Sequence, residues 1–320
     1  MPIAEHDPWR VQYFQHISCP EHISIPTDDG DAWAWYPRER WVYDKLAVAL
    51  SQGLSAGPHG LPPPAFPVFS KPLMNLRGMG TDSRVLCGPD DYRAHQAPGH
   101  MWMPLLEGEH VSTDVALVRG EARWWRHAIG EGATGGTFDS WFVLAEARPE
   151  IEAYCAAWMS KHLPGYSGLV NIETIGAKII EVHLRFSDQW PDLYGGDAWV
   201  RAAIGLYATG RWDFADMDRR DGFSVPLFGP HGFRYRHPPA DLQARARQKL
   251  GVTSLQISFH EDWEPGWHAM PPGGFRLAIV NGHDLDGCRS ALDILRPWYE
   301  NTRTPLGESG LAASIADAGL

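Results

Sequence analysis

Side chains able to do chemistry recur at a two-residue spacing in the stretch GLVNIETIGAKIIEVHLRF, with Asn171 and Glu173 on one arm and Glu181, His183 and Arg185 on the other. Read as a hairpin turning at Ile175-Gly176, the alternation puts each arm's set on a single face. Two carboxylates and an imidazole beside a guanidinium are costly to hold together unless a cation and an anion sit there. Metal-assisted phosphoryl transfer asks for that mixture: carboxylates for Mg2+, cations for phosphates, and a loop that closes. A solvated hairpin face with alternating charge accounts for these residues equally well. Further upstream, Lys71 leaves the short apolar run FPVF and is followed by Asn75-Leu76-Arg77-Gly78-Met79-Gly80. The glycines would let that backbone bend over phosphates and present N–H groups to them. Taken alone it is also an ordinary turn after a strand. It is not a P-loop, because the chain has no GxxxxGK[ST].

Other constellations are thinner. His16, Cys19 and His22 lack a fourth zinc ligand nearby. HEDWEPGWH at 260–268 contains no HExxH, and no GxSxG supports a serine nucleophile. The 320 residues carry 39 acidic against 28 basic side chains, a net charge of -11, which opposes a nucleic-acid partner. No apolar run approaches the roughly 20 residues of a membrane span, so no membrane partner is expected. MPIAEHDPWR lacks the basic and apolar regions of a signal peptide. Four dispersed cysteines without CxxC fit a reduced, cytoplasmic chain.

The elements that must position these residues can be read from periodicity. Residues 1–40 are irregular, and Val42, Leu46, Ala49 and Leu50 at helical spacing predict a helix over 41–54. Phe66 to Phe69 reads as a buried strand delivering Ser70 and Lys71. VSTDVALVRGEARWWRHA (111–128) reads as a hairpin about Arg119-Gly120, and EGATGGT (131–137) as a mobile loop. Helices are predicted at 151–163, stopped by Pro164-Gly165, and at 199–210, closed by glycine. From Gly222 the chain changes to short strands, a helix at 240–251 and a strand–turn–helix over 275–295. The tail from 306 is expected to fray.

In their joint order these segments resemble the ATP-grasp superfamily of carboxylate–amine ligases, over roughly Trp41 to Trp298. YDKL at 43–46 resembles the opening of the nucleotide-binding half, FPVFSKP the strand of the second ATP lysine, and NLRGMG the glycine-rich lid. The resemblance implies that Lys45 meets the α-phosphate, Lys71 the nucleotide, and Asn75, Arg77, Gly78, Met79 and Gly80 the β- and γ-phosphates. MPLLEGEHVSTD resembles the adenine hinge, with backbone from Met103 to Leu106 reading the base. The ribose contact falls to Glu109 or His110, because the usual G-x-Glu is replaced by Gly108-Glu109-His110. GLVNIETIG and IIEVHLR resemble the paired metal strands, making Glu173 and Glu181 metal ligands. His183 stands where the family commonly has Asn. Since Mg2+ prefers oxygen, His183 is expected either outside the first shell or in a site that tolerates Mn2+. Arg185 matches an arginine that meets the γ-phosphate or the acyl phosphate. SVPLFGPHG, LQISFHEDW and GGFRLAIVNGHDLDGCRSALDIL resemble the small closing domain of the biotin carboxylase and glycinamide ribonucleotide synthetase branch.

The implied fold is α+β, two subdomains gripping the nucleotide plus a small C-terminal β-rich closing domain. The implied division is an N-terminal remnant at 1–40, a lid subdomain at 41–110, a metal and catalytic subdomain at 111–221, a closing domain at 222–305 and a tail at 306–320. The Rossmann-like domain that usually precedes such a core is expected to be missing or reduced. The implied chemistry uses ATP and Mg2+ to turn a small-molecule carboxylate into an acyl phosphate, which an amine attacks, with Lys71 and Arg185 catalytic. Arg123, Arg126, His127 and Asp188 are the candidate substrate residues, with Trp190 beside Asp188 as a ring face for an ammonium. An ATP-dependent phosphotransferase and a non-catalytic nucleotide-binding protein are the competing readings. Dimers are frequent in the superfamily, so a homodimer is expected to be compatible with the chain.

Overall fold

A computed structural model describes residues 3, 7–74, 76, 82–134, 137–268, 271 and 273–306. Its framework is an eight-stranded antiparallel sheet with a smaller four-stranded sheet standing at one end. The small sheet is built from β1 (Val68–Pro72), β2 (Arg84–Leu86) and β3 (His100–Pro104), with residues 57–58 pairing on the outer edge of β3. The large sheet contains β4 (His110–Val118), β5 (Glu121–Thr134), β6 (Thr137–Leu144), β7 (Gly168–Ile175), β8 (Lys178–His183), β9 (Gly222–Gly229), β10 (Val252–Ile257) and β11 (Phe275–Gly282). Their order across the sheet is β10-β11-β9-β6-β5-β4-β7-β8.

Two turns with positive φ set the registers that matter. Arg119 (φ 54°) and Gly120 (φ 82°) close β4 onto β5 as expected. Gly176 (φ 53°) and Ala177 (φ 57°) close β7 onto β8, one residue later than the alternation suggested. Both have left-handed residues at both central positions, as a type I′ hairpin turn requires. A Cβ on Gly176 would also lie 2.3 Å from the carbonyl oxygen of Glu107, so the hinge leading into β4 packs directly on this turn.

EGAT, expected in a mobile loop, continues β5 instead. Its neighbouring glycines serve close approach: a Cβ on Gly130 would meet the Phe138 ring at 2.3 Å, and one on Gly132 the Asp139 carboxylate at 2.2 Å. The helix expected over 41–54 is also shorter. Arg40–Tyr43 is a 3-10 turn, and α3 runs Lys45–Ser51 because the Asp44 side chain accepts from the N–H groups of Leu46 and Ala47 (2.9 and 3.0 Å).

The first forty residues are not irregular throughout. They carry α1 (Pro8–Val11) and α2 (Asp29–Trp35), and they bury Phe14, Ile17 and Ile25 in one core with Trp124, Trp190 and Trp199. Trp199 belongs to α6 (Gly196–Thr209), which covers that face of the sheet. A second core joins Trp158 and Met159 of α5 (Pro149–His162) to Ile172, Ile179 and Val182. The third packs α8 (Leu285–Thr302), through Cys288, Leu292 and Leu295, on β9, β10 and β11. Strand β9 pairs with β6, so 222–305 has its own core but continues the same sheet.

Candidate active site

Lys45 is the first residue of α3, held there by the Asp44 cap and by its own N–H donating to the Leu73 carbonyl at 2.9 Å. Its ammonium is ion-paired with Glu181 Oε1. Lys71, buried on β1, donates to the Ile180 carbonyl at 2.7 Å. The two lysines thus reach β8 from two different elements of the N-terminal half.

Glu173 and Glu181 face each other in register across the β7–β8 hairpin, and Asn171 faces His183. Oxygens of the two glutamates and a nitrogen of His183 lie within 4.8 Å of one another, the one potential metal-holding cluster found among the described residues. Mg2+ takes oxygen ligands, and the two carboxylates fit it. His183 does not offer a free nitrogen. Its Nδ1 lies 3.0 and 3.1 Å from the two oxygens of Asp29, and its Nε2 lies 3.4 Å from Glu181 Oε2.

Asp29 organises this corner, and the sequence reading did not find it. It also pairs with Arg185 Nη2 at 3.0 Å and accepts from the Tyr43 hydroxyl at 3.2 Å. The only sequence cue was its place in PTDDGD, where Asp28 caps α2 by accepting from the Asp31 N–H. Burial opposes the charge on each of these groups, and the partners outweigh it. The Lys45 ammonium, then His183, hold the Glu181 carboxyl well below the usual range. Arg185 and His183 do the same for Asp29. Asp29 in turn raises His183 to about 9. Lys71 is the exception, since burial lowers it to about 8 against the pull of Glu181.

Below this cluster, the buried Asp114 accepts from the Ser187 N–H (2.8 Å), the Tyr194 hydroxyl (2.6 Å) and Asn171 Nδ2 (2.7 Å). Burial raises its carboxyl to about 6. It ties the segment following Arg185 to β4 and β7.

Asp29, Lys71, Glu173, Glu181, His183 and Arg185 line one cavity of about 860 Å³. At one end lie the apolar side chains of Phe69, Met103, Leu106 and Ile180, a slot of the kind a flat base would fill. His110 lines the cavity and contacts Glu173 at 3.1 Å. Glu109, by contrast, is half-exposed and faces Arg148 at 3.7 Å. Of these two candidates for the ribose contact, His110 is the one that lines the cavity. Of the lid motif, Leu76 lines the cavity, and Asn75, Arg77, Gly78, Met79 and Gly80 lie outside the described residues.

Three expected substrate residues are elsewhere. Arg123 is exposed and pairs with Glu121. Arg126 is buried under the loop that follows α6, donating to the carbonyls of Leu193 and Arg220 and pairing with Asp216. His127 is fully buried between Thr113 and Glu152. Arg126 and His127 sit on the part of β5 that the helices and their loops cover, whereas Arg123 faces solvent, and none of the three lines the cavity. Asp188 does line the cavity, but its carboxylate is ion-paired with Arg10. Trp190 lines it too, with its Nε1–H donated to Tyr194. His16 pairs with Asp197 (2.8 Å) rather than with Cys19 or His22.

The chain has the ATP-grasp fold. It superposes on an L-amino acid ligase from Bacillus licheniformis with a TM-score of 0.55 at 9% identity, covering 82% of this chain and 71% of that one. A phosphoribosylamine–glycine ligase from Thermotoga maritima matches with a TM-score of 0.54 at 12% identity, over 88% and 85% of the two chains. A carboxyaminoimidazole ribonucleotide synthase from Aspergillus clavatus, crystallised with ATP, matches with a TM-score of 0.51 at 12% identity, over 82% and 73%. No family model matches the chain, and no curated protein matches it in sequence. No helix among the described residues is long and apolar enough to cross a membrane.

Proposed function

We propose that the protein is an ATP-dependent ligase that activates a small-molecule carboxylate as an acyl phosphate for attack by an amine. The observation that carries this reading is the meeting of Lys71, Glu173, Glu181 and Arg185 at a single cavity that also has an apolar slot, with Lys45 ion-paired to Glu181 behind them. The base lies in the slot against Phe69, Met103 and Ile180, and Lys45 and Lys71 neutralise the phosphates. Glu173 and Glu181 would hold Mg2+, which would offset the charge on the phosphates. Lys45, ion-paired with Glu181 Oε1, would keep that carboxylate ionised for the ion. His183 lies outside the first shell, since Asp29 engages its Nδ1 and its Nε2 faces Glu181, and it orients that carboxylate. Arg185, held by Asp29, meets the phosphoryl group in flight. Residues 41–110 act as the lid on 111–221, and 222–305 covers the acceptor end, where closure excludes water from the acyl phosphate. The three named structural neighbours are a ligase or synthase of small molecules, which favours this reading over a phosphotransferase.

The test is ADP release measured against panels of acids with and without amines. ADP that forms only when both are present is the expected result; a phosphorylated product released without any amine overturns the ligase reading. Glu181→Gln is expected to reduce Mg2+-dependent turnover by about a hundredfold or more while leaving the circular dichroism spectrum unchanged. Unchanged turnover removes the metal assignment.

A further inference from the structure

Asn171 stands on β7 two residues before Glu173, so strand alternation turns both side chains to the cavity face. The register is unbroken over these two rungs. Asn171 lies opposite His183 on β8 and opposite Asp114 on β4, while Glu173 lies opposite Glu181 and Ser112. Asn171 is only 3% exposed, and its amide is oriented by what it touches. Its Nδ2 donates to Asp114 Oδ1 at 2.7 Å and to Ser112 Oγ at 2.9 Å. Because Asp114 is an acceptor, the nitrogen has to face it, and both Nδ2 protons are then used. Asp114 belongs to the rung of Asn171 and Ser112 to the next, so the amide leans toward the rung of the two glutamates. Its Oδ1 makes no hydrogen bond among the described residues, although the side chain lines the cavity. A largely buried amide oxygen left without a partner is costly, which points to a group that enters from the cavity.

The surroundings of that oxygen select a cation. The nearest carboxylates on its face are those of Glu173 and Glu181, whose oxygens lie within 4.8 Å of each other and of a His183 nitrogen. His183, directly across the rung, has Nδ1 engaged by Asp29 at 3.0 Å and Nε2 3.4 Å from Glu181 Oε2. Asn171 Oδ1 has no such commitment, and oxygen is the donor type that Mg2+ takes. A phosphate oxygen is itself an acceptor and would not pair with it. Residues two apart on a strand have backbones about 6.7 Å apart, a span that two side chains meeting one ion at about 2.1 Å can bridge.

We propose that Asn171 is a third protein ligand of the divalent cation, its Oδ1 joining Glu173 and Glu181 in a set of three oxygens while His183 stays outside it. This rests on the ligase reading of the cavity and deepens it. Asp114 and Ser112 are then the groups that aim the amide at the ion.

The test is Mn2+ binding in the presence of ADP, followed by the electron paramagnetic resonance signal of the free ion. Asn171→Ala and Asn171→Asp both lose the Nδ2 bonds to Asp114 and Ser112, but only the aspartate variant keeps an oxygen. The alanine variant is expected to bind the ion at least about tenfold more weakly, and the aspartate variant as tightly as the wild type or more so. A purely structural role of Asn171 would weaken both alike. Asn171→Cys places a soft sulfur at the same point and carries the test should the other variants not fold. With Cd2+ and ADP it is expected to show a thiolate-to-metal charge-transfer band in the ultraviolet that the wild type lacks. The proposal is overturned if the alanine variant binds Mn2+ like the wild type, which would leave Oδ1 to receive a substrate N–H. It is overturned equally if the aspartate variant loses as much as alanine, or if the cysteine variant shows no band. Failure of the wild-type protein to bind Mn2+ with ADP instead counts against the ligase reading, so the two failures are distinguishable.

Discussion

On the ligase reading Lys71 meets a phosphate, and its charge is not secure before one arrives. Burial lowers it to about 8, whereas a triphosphate beside it favours the ammonium. The free protein therefore loses this proton as pH rises through about 8, and the complex keeps it. Nucleotide binding should take up close to one proton at about pH 9 and almost none below about pH 7. Calorimetry in buffers of different ionisation enthalpy reads this directly, and Lys71→Met should remove the uptake. Uptake that persists in the variant assigns the proton to another group. His183 shows the opposite arrangement: Asp29 holds it cationic up to about 9, so this contact is fully present below the free imidazole value and fades as pH passes 9. The shared face of Glu173, Glu181 and His183 was legible from their spacing, because strand alternation is a local property, but that spacing did not by itself separate a site from a solvated hairpin face. Asp29 was not, since nothing near PTDDGD signals that its carboxylate ends between an imidazole and a guanidinium more than 150 residues away.

Among the elements, the β7–β8 hairpin and the segment that leaves it carry most of the site, and Asp114 fixes that segment from the neighbouring strand. Truncating it as Asp114→Ala leaves the Ser187 N–H, the Tyr194 hydroxyl and Asn171 Nδ2 buried without this acceptor. The expected cost is about 3 kcal/mol, read as a shift in the denaturant midpoint. A change within about half a kilocalorie would mean water replaces the carboxylate without loss. The hairpins around Arg119-Gly120 and near Gly176 follow from short-range turn chemistry and were expected from the chain. The extension of β5 through Glu131 was not. There Gly130 and Gly132 resemble loop residues in composition, and their purpose is visible only once Phe138 and Asp139 are seen across the pair.

For the molecule as a whole, the N-terminal forty residues contribute Arg10, Thr27, Asp28 and Asp29 to the wall of the candidate site. Asp29 reaches Arg185, Arg10 reaches Asp188, and Phe14 packs under Phe186 and Trp199 in the same core. Phe14→Ala should cost about 3–5 kcal/mol in unfolding free energy, because the residue is almost wholly buried and its neighbours are large rings that relax poorly. A loss under about 1 kcal/mol would show that this segment folds independently of the sheet. The amino-acid sequence by itself determined the strand pairing of the carboxylate hairpin, the ordering of motifs along the ATP-grasp fold and most of the helices, all of which depend on short-range periodicity and turn chemistry. The tertiary structure decided which charges meet. It sent Arg126 and His127 into buried structural networks and brought Asp29 to Arg185. Those outcomes depend on which layers cover which rungs of the sheet, a long-range packing result that no local spacing encodes.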